Sequence, residues 1–221
     1  LHAELCECAF LAGDIAEAEA LFATASARAH APGDRAHLHN LRMVLYATVG
    51  KYHEALDAGW AALALLGVTV PSGPGGHAAQ MEAELAKAQA MLAERTPESL
   101  LDAPEIADPE RRLEMKVLMD MSCTAYFVDP VQFALTGVRA FNLSLEHGYM
   151  DLSAYACMLY ALSLQVFGKP REAYHFGEIG LALCARWNSP HVEAKVLCSA
   201  ASSVMTLFEP LRASIPRAAR G

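Results

Sequence analysis

The sequence predicts an all-α fold: a right-handed α-solenoid of helical hairpins, about ten or eleven helices in all. Three observations carry this. First, one short pattern recurs. Gly13-Asp14-Ile15-Ala16-Glu17-Ala18 returns as Gly50-Lys51-Tyr52-His53-Glu54-Ala55 and as Gly168-Lys169-Pro170-Arg171-Glu172-Ala173. Each glycine can take the left-handed conformation that ends a helix. Each Glu falls in the first turn of the next helix, where the helix dipole favours it. Each Ala (Ala18, Ala55, Ala173) falls where two helices must pack closely. Second, hydrophobic residues make up 54% of the chain and charged residues only 19%. That suits helices that bury two faces, one on the hairpin partner and one on the next repeat. Third, alternating Val/Ile/Thr runs are nearly absent, so no sheet is expected.

The spacing sets a repeat period. Gly13 and Gly50 lie 37 residues apart, and Gly50 and Gly168 lie 118 apart. The longer gap suggests three units of about 39, near the roughly 34 of tetratricopeptide arrays. Two further turns are therefore expected near 89 and 128. Helix breaks occur at Arg95-Thr96-Pro97 and Asp129-Pro130.

Taken in order, the first helix covers 1–12, with Leu1, Leu5, Cys8 and Leu11 or Ala12 on one face. Its partner covers about 15–30. Asp14 and Glu17 have capping-box spacing, and Ile15, Ala18, Phe22, Ala25 and Ala29 form the inward stripe. Ala31-Pro32-Gly33-Asp34 links to a second hairpin, about 35–49 and 52–66. The Gly/Pro-rich stretch 67–76 is the strongest break. It would divide the single domain 1–221 into sub-units 1–71 and 77–221. No Lys-Ser or Lys-Thr follows its glycines, so it reads as a turn and not as a phosphate loop. A surface-rich helix covers 77–94. Asp108-Pro109-Glu110 combines an acidic N-cap with proline at the first helical position. Asp129-Pro130 repeats that signal, and the helix it starts ends at His147-Gly148. Asp151 caps the next helix, which runs to Phe167, and Pro170 opens its partner. Asn188-Ser189-Pro190 starts the last long helix, which Glu209-Pro210 breaks.

Composition excludes several function classes. Net charge is −8 with no block of Lys or Arg, which argues against nucleic-acid binding. The longest strongly apolar run, 60–70, is too short to span a bilayer, and no signal peptide is visible. The six cysteines fall in predicted helix interiors and read as small buried hydrophobes of a reduced, cytoplasmic protein. Cys6 and Cys8 point to opposite sides of a helix and cannot share a metal. The chain begins without Met inside a hairpin and ends soon after Pro210, so it reads as a piece of something longer.

No catalytic set is expected, and neither a cofactor nor a metal. His53-Glu54 lacks a histidine at position 57, where Asp57 stands, so the zinc-protease pattern is absent. His53 coincides with a repeat turn, which accounts for it structurally. No nucleophile elbow is present. The aromatics Tyr126, Phe127, Tyr149, Tyr155, Tyr160, Phe167, Tyr174 and Phe176 concentrate in the second half. They read first as packing between repeats. On the first helices of hairpins such residues can also line a binding groove. Tyr155 and Tyr160 are five apart and cannot point the same way. Tyr155, one turn from Met158, goes to packing. Tyr160 becomes the candidate groove contact, with Asn142 and Glu146 as polar neighbours.

Several segments in order carry a family resemblance. They are Gly50-Lys51-Tyr52-His53-Glu54-Ala55-Leu56 with Leu65-Leu66-Gly67; Asp108-Pro109; Asn142-Leu143-Ser144-Leu145-Glu146-His147-Gly148; Ala173-Tyr174-His175-Phe176-Gly177; and Pro210-Leu211. The chain resembles the tetratricopeptide-like arm of large bacterial signalling proteins. Those join a serine/threonine kinase domain, an AAA/STAND-type ATPase, the helical arm, a GAF domain and often a sensor histidine kinase. The resemblance implies a non-catalytic interaction or sensory role in signal transduction, with a protein partner or the attached kinase and ATPase domains as its targets. A free-standing tetratricopeptide adaptor that binds protein segments is the alternative. Ile215-Pro216-Arg217 departs from the family, because a further helix should run on there.

Overall fold

The computed structural model describes residues 2–73, 75–206 and 208–219. Leu1 of the expected first stripe and Pro74 of the glycine-rich stretch lie outside these residues. The described chain is all-α and contains no strand. It has eleven helices of eight residues or more, one five-residue helix and a π-helical turn. In order they are α1 (His2–Leu11), α2 (Ile15–Arg28), α3 (Pro32–Thr48), α4 (Tyr52–Leu65), α5 (Gly76–Leu92), α6 (Pro97–Leu101), α7 (Pro109–Ala125), α8 (Pro130–His147), α9 (Leu152–Val166), α10 (Pro170–Cys184), α11 (Pro190–Ser199), the π-turn Ala200–Val204 and α12 (Leu211–Ala218).

Local chemistry sets most boundaries. Gly13, Gly50 and Gly168 all adopt positive φ at hairpin turns. Asp14 accepts the Glu17 amide at 3.0 Å. Asp108 accepts the Glu110 amide at 2.8 Å, and Pro109 follows it. Ala18, Ala55 and Ala173 are all buried.

The hairpins α1/α2, α3/α4, α7/α8 and α9/α10 pack in chain order, each on its neighbour. Helix α7 lies on α3 and α4, although 43 residues separate it from α4. One apolar core runs from Ala36 to Met205, across the loop at 67–76, and a smaller one lies among α1, α2 and α3. Some helix pairs approach too closely for a side chain. A Cβ on Gly137 of α8 would meet Leu159 Cβ of α9 at 2.8 Å.

Four expectations need correction. No turn occurs near 89, because α5 runs straight through it. The interval between Gly50 and Gly168 holds one further hairpin, with its turn at Asp129, plus an insert made of α5 and α6. Helix α5 lies along α8, and the chain then returns through a parallel bridge at Glu105 and Tyr149. Second, α1 buries Cys6 and Phe10 and exposes Leu5, Cys8 and Leu11. Apolar residues lie on several sides of this helix, interrupted by Glu4 and Glu7, so the pattern selects no single face. Third, of the six cysteines only Cys6 and Cys157 are buried, while Cys8 and Cys198 are exposed. Fourth, α12 continues through Pro216 instead of breaking there.

Candidate functional site

Helix α5 creates two concavities, one on each side of its contact with α8, and they differ in chemistry. The first is polar, with a volume of about 270 Å³. Its walls are residues 67–69, the α5 face carrying Gln80, Glu84 and Lys87, Arg111 and Glu114 of α7, and the end of α8. The α5 side chains recur at i, i+4 and i+7, which puts them on one face.

Glu84 is the centre of this side. Its carboxylate accepts Arg139 Nε at 3.0 Å and Asn142 Nδ2 at 2.8 Å. Asn142 Nδ2 also reaches the Glu84 carbonyl at 2.9 Å. Arg139 Nη2 donates to Thr69 O at 2.9 Å, tying in the loop. Lys87 pairs with Glu146 at 2.9 Å, and Arg111 pairs with Glu114. Burial pushes the Glu114 carboxyl above its ordinary range, and Arg111 only partly offsets this. Three acids thus meet three fixed cations. Each carboxylate is engaged, and among the described lining residues Thr69 carries the one hydroxyl and none carries a thiol. The arrangement clasps α5 to α8. Arg139 Nη1 and Asn142 Oδ1 are buried without a protein partner. Each such atom costs on the order of 1–3 kcal/mol, so the clasp specifies position more than it adds stability.

The second concavity is an apolar groove of about 470 Å³. Ala78 and Met81 of α5 form one wall. Tyr126 and Pro130 stand at the α7/α8 turn, with Val131, Phe133 and Ala134 following on α8. Leu162, Val166 and Phe167 close it from the end of α9, and Ser203 of the π-turn lies at its margin. The rim is unusually open for such side chains: Val166 is 85% exposed, Tyr126 69% and Phe167 46%. Tyr126 rests edge-on against Phe127 and Phe133, and Phe127 stacks on Tyr52 with ring centres 5.2 Å apart. The side-chain donors of Ser163 and Gln165 on the floor are already engaged. Ser163 Oγ donates to Leu159 O at 3.0 Å, and Gln165 Nε2 donates to Ser203 O at 3.2 Å. Among the described residues Glu82 is the one charged side chain that lines the groove.

The residues singled out from sequence fall elsewhere. Tyr160 is 1% exposed and is not a groove contact. It stacks on Phe141 with centroids 4.3 Å apart and meets Phe176 edge-on at 4.9 Å. That burial pushes its hydroxyl up to about 12. The reason is that α9 sits between α8, α10 and α11, so nearly its whole circumference is core. Tyr155 is the half-buried one of the pair. Asn142 and Glu146 do share a concavity, but it is the polar one, and both are spent on α5. Tyr126, Phe127 and Phe167 belong to the aromatic set that reads first as packing, and Val166 is not singled out, yet the groove residues have a local signal. Large apolar side chains stand directly before a turn, in Val166-Phe167-Gly168 and Tyr126-Phe127-Val128-Asp129, where polar residues usually sit.

Comparison with known proteins adds nothing to these observations: no protein family, no curated protein and no solved structure matches the chain. Among the described residues no group of three His, Cys, Asp or Glu side chains is placed to hold a metal ion. Among those residues no helix is long and apolar enough to cross a membrane. His53 stands exposed in the first turn of α4.

Proposed function

We propose that this chain is a non-catalytic interaction arm that docks a protein partner through the apolar groove between α5, α8 and α9. In the setting its sequence resembles, it would be the cytoplasmic helical-repeat arm of a bacterial signalling protein. The partner would then be, or would act on, the attached kinase and ATPase domains. One observation carries the reading: Val166, Phe167, Tyr126 and Val131 are exposed together around a concave apolar surface. Isolated exposed apolar residues are ordinary, but a contiguous set around a groove marks an interaction site. The pairing of all three carboxylates in the polar cavity favours binding over chemistry.

Site-specific photo-crosslinking tests the proposal. A photoreactive phenylalanine analogue placed at Val166 should give one discrete adduct in a native-host lysate, and mass spectrometry should locate the linked peptide in a signalling domain. The same group at Glu178, exposed on α10, should give none. Equal or absent labelling at both positions would overturn the docking reading. Saturable ATP binding by this chain in calorimetry would overturn its non-catalytic part.

A further inference from the structure

We infer that the groove takes an amphipathic α-helix with a basic residue on its flank, and not an extended peptide; this rests on the docking reading above. The first argument is backbone accounting. An extended segment must find partners for its N–H and C=O groups, usually along a sheet edge. The groove walls are helices and helix ends, not a sheet edge, and backbone groups inside those helices are paired internally. Few side chains could substitute. The Ser163 hydroxyl donates to the Leu159 carbonyl and Gln165 Nε2 to the Ser203 and Val204 carbonyls. Tyr126, Gln165 Oε1 and Glu82 are too few to serve the backbone of an extended chain. A strand laid there would bury unpaired polar groups, which is costly. A helix brings its own hydrogen bonds and needs only apolar contact.

The second argument comes from α5. It already lies along α8 as a helix and buries Met81 and Ala88, seven residues apart on one face. This flank of the array therefore accepts a helix, and the groove continues the same surface past Met81 toward α9. Anchors at i, i+3 or i+4, and i+7 would meet Val131, Phe133, Val166 and Phe167.

The third argument is charge. Glu82 lines the groove, is exposed and makes no ion pair among the described residues. No cation lines the groove, and the chain carries a net charge of −8. A Lys or Arg beside the apolar stripe of the partner would meet Glu82. An acidic helix would be repelled, so the charge selects among otherwise similar helices.

The test uses two randomised peptide display libraries, one on a helix-forming scaffold and one unconstrained. Both are panned against the whole chain. Binders are retained only if Val166→Glu abolishes capture. At 85% exposure that residue lies at a helix end and tolerates charge, and circular dichroism checks the fold. Retained binders should come from the helical library, with helical apolar spacing and Lys or Arg enriched. In fluorescence polarisation their affinity should fall at least tenfold in Val166→Glu and several-fold in Glu82→Lys. Retained binders with alternating or proline-rich patterns would overturn the helix and leave the docking reading intact. Helical binders with acidic flanks, or ones indifferent to Glu82→Lys, would overturn the charge assignment. No retained binder from either library would overturn both readings. Concentration-dependent self-association abolished by Val166→Glu would assign the groove to a second copy and overturn the inference.

Discussion

Helices α5 and α8 have 17 and 18 residues and lie against one another, yet they are held in opposite ways. Helix α8 has eleven buried residues and contacts α5, α7 and α9. Its start is fixed by Asp129, whose carboxylate accepts the Val131 and Gln132 amides. Helix α5 buries two residues, contacts mainly α8, and begins at Gly75 with no side-chain cap. What positions α5 is the clasp of Glu84 on Arg139 and Asn142, together with Lys87 on Glu146. The array is held by apolar area, which scales with burial and tolerates no gaps. The insert is held by directional polar contacts, which set register but leave it weakly anchored. A functional surface formed between two such elements has one rigid wall and one adjustable wall.

The sharpest way to break this comparison is to damage the rigid wall. Leu159 is 1% exposed and touches α8 where Gly137 lets the two backbones approach. Leu159→Ala should lower the global unfolding free energy by about 2–5 kcal/mol, through lost transfer energy plus a cavity. The check is the urea midpoint at unchanged slope. A loss under about 1 kcal/mol would mean that α8 and α9 are not the tightly packed pair described.

The adjustable wall should respond differently. Glu84→Ala removes the acceptor for Arg139 and Asn142. If α5 stayed docked, leaving that guanidinium buried without its counter-charge, with only the Thr69 carbonyl as a partner, would cost up to about 3–5 kcal/mol. Lifting α5 avoids the cost, so the penalty should appear as local opening. The expected result is faster amide exchange across 76–92 with a global loss of about 1 kcal/mol or less. Uniformly faster exchange along the whole chain would show that α5 unfolds only with the array, and the contrast would fail.

How far the sequence revealed these regions follows the range of the interactions. The hairpin turns at Gly13, Gly50 and Gly168 and the starts at Asp108 and Asp129 were legible, because each depends on a few adjacent residues. The α2 stripe of Ala18, Phe22 and Ala25 was legible because α2 has one apolar face. The α5–α6 insert was not, since its length fits the repeat period and its packing partner lies some 50 residues on. The polar cavity joins Thr69 to Arg139, 70 residues apart, which no local pattern reports. Tyr160 was misplaced for a related reason: helix phase selects a face only when some face is solvated, and α9 has almost none.

The smallest expected effect concerns the cap itself, and pH gives it a sign. Burial tends to raise the Asp129 carboxyl. The Gln132 side chain and the Gln132 and Val131 amides outweigh that and hold it below its ordinary value. A carboxylate with a depressed folded pKa stabilises the fold above its unfolded pKa of about 3.9, and that contribution is lost as pH falls through the folded value. Asp129→Ala should therefore cost about 1 kcal/mol at pH 6. The gap between variant and parent should narrow below about pH 4 and close below the folded pKa. No comparable cap starts α5, so Gly75→Ala probes only backbone strain at φ 75° and should show no such pH dependence. Thermal unfolding of both variants at steps between pH 6 and pH 2.5 separates the two. If the Asp129→Ala deficit stays constant across that range, the hydrogen bonds at the start of α8 are not what holds the carboxyl down, and the contrast between a capped α8 and an uncapped α5 loses its chemical basis.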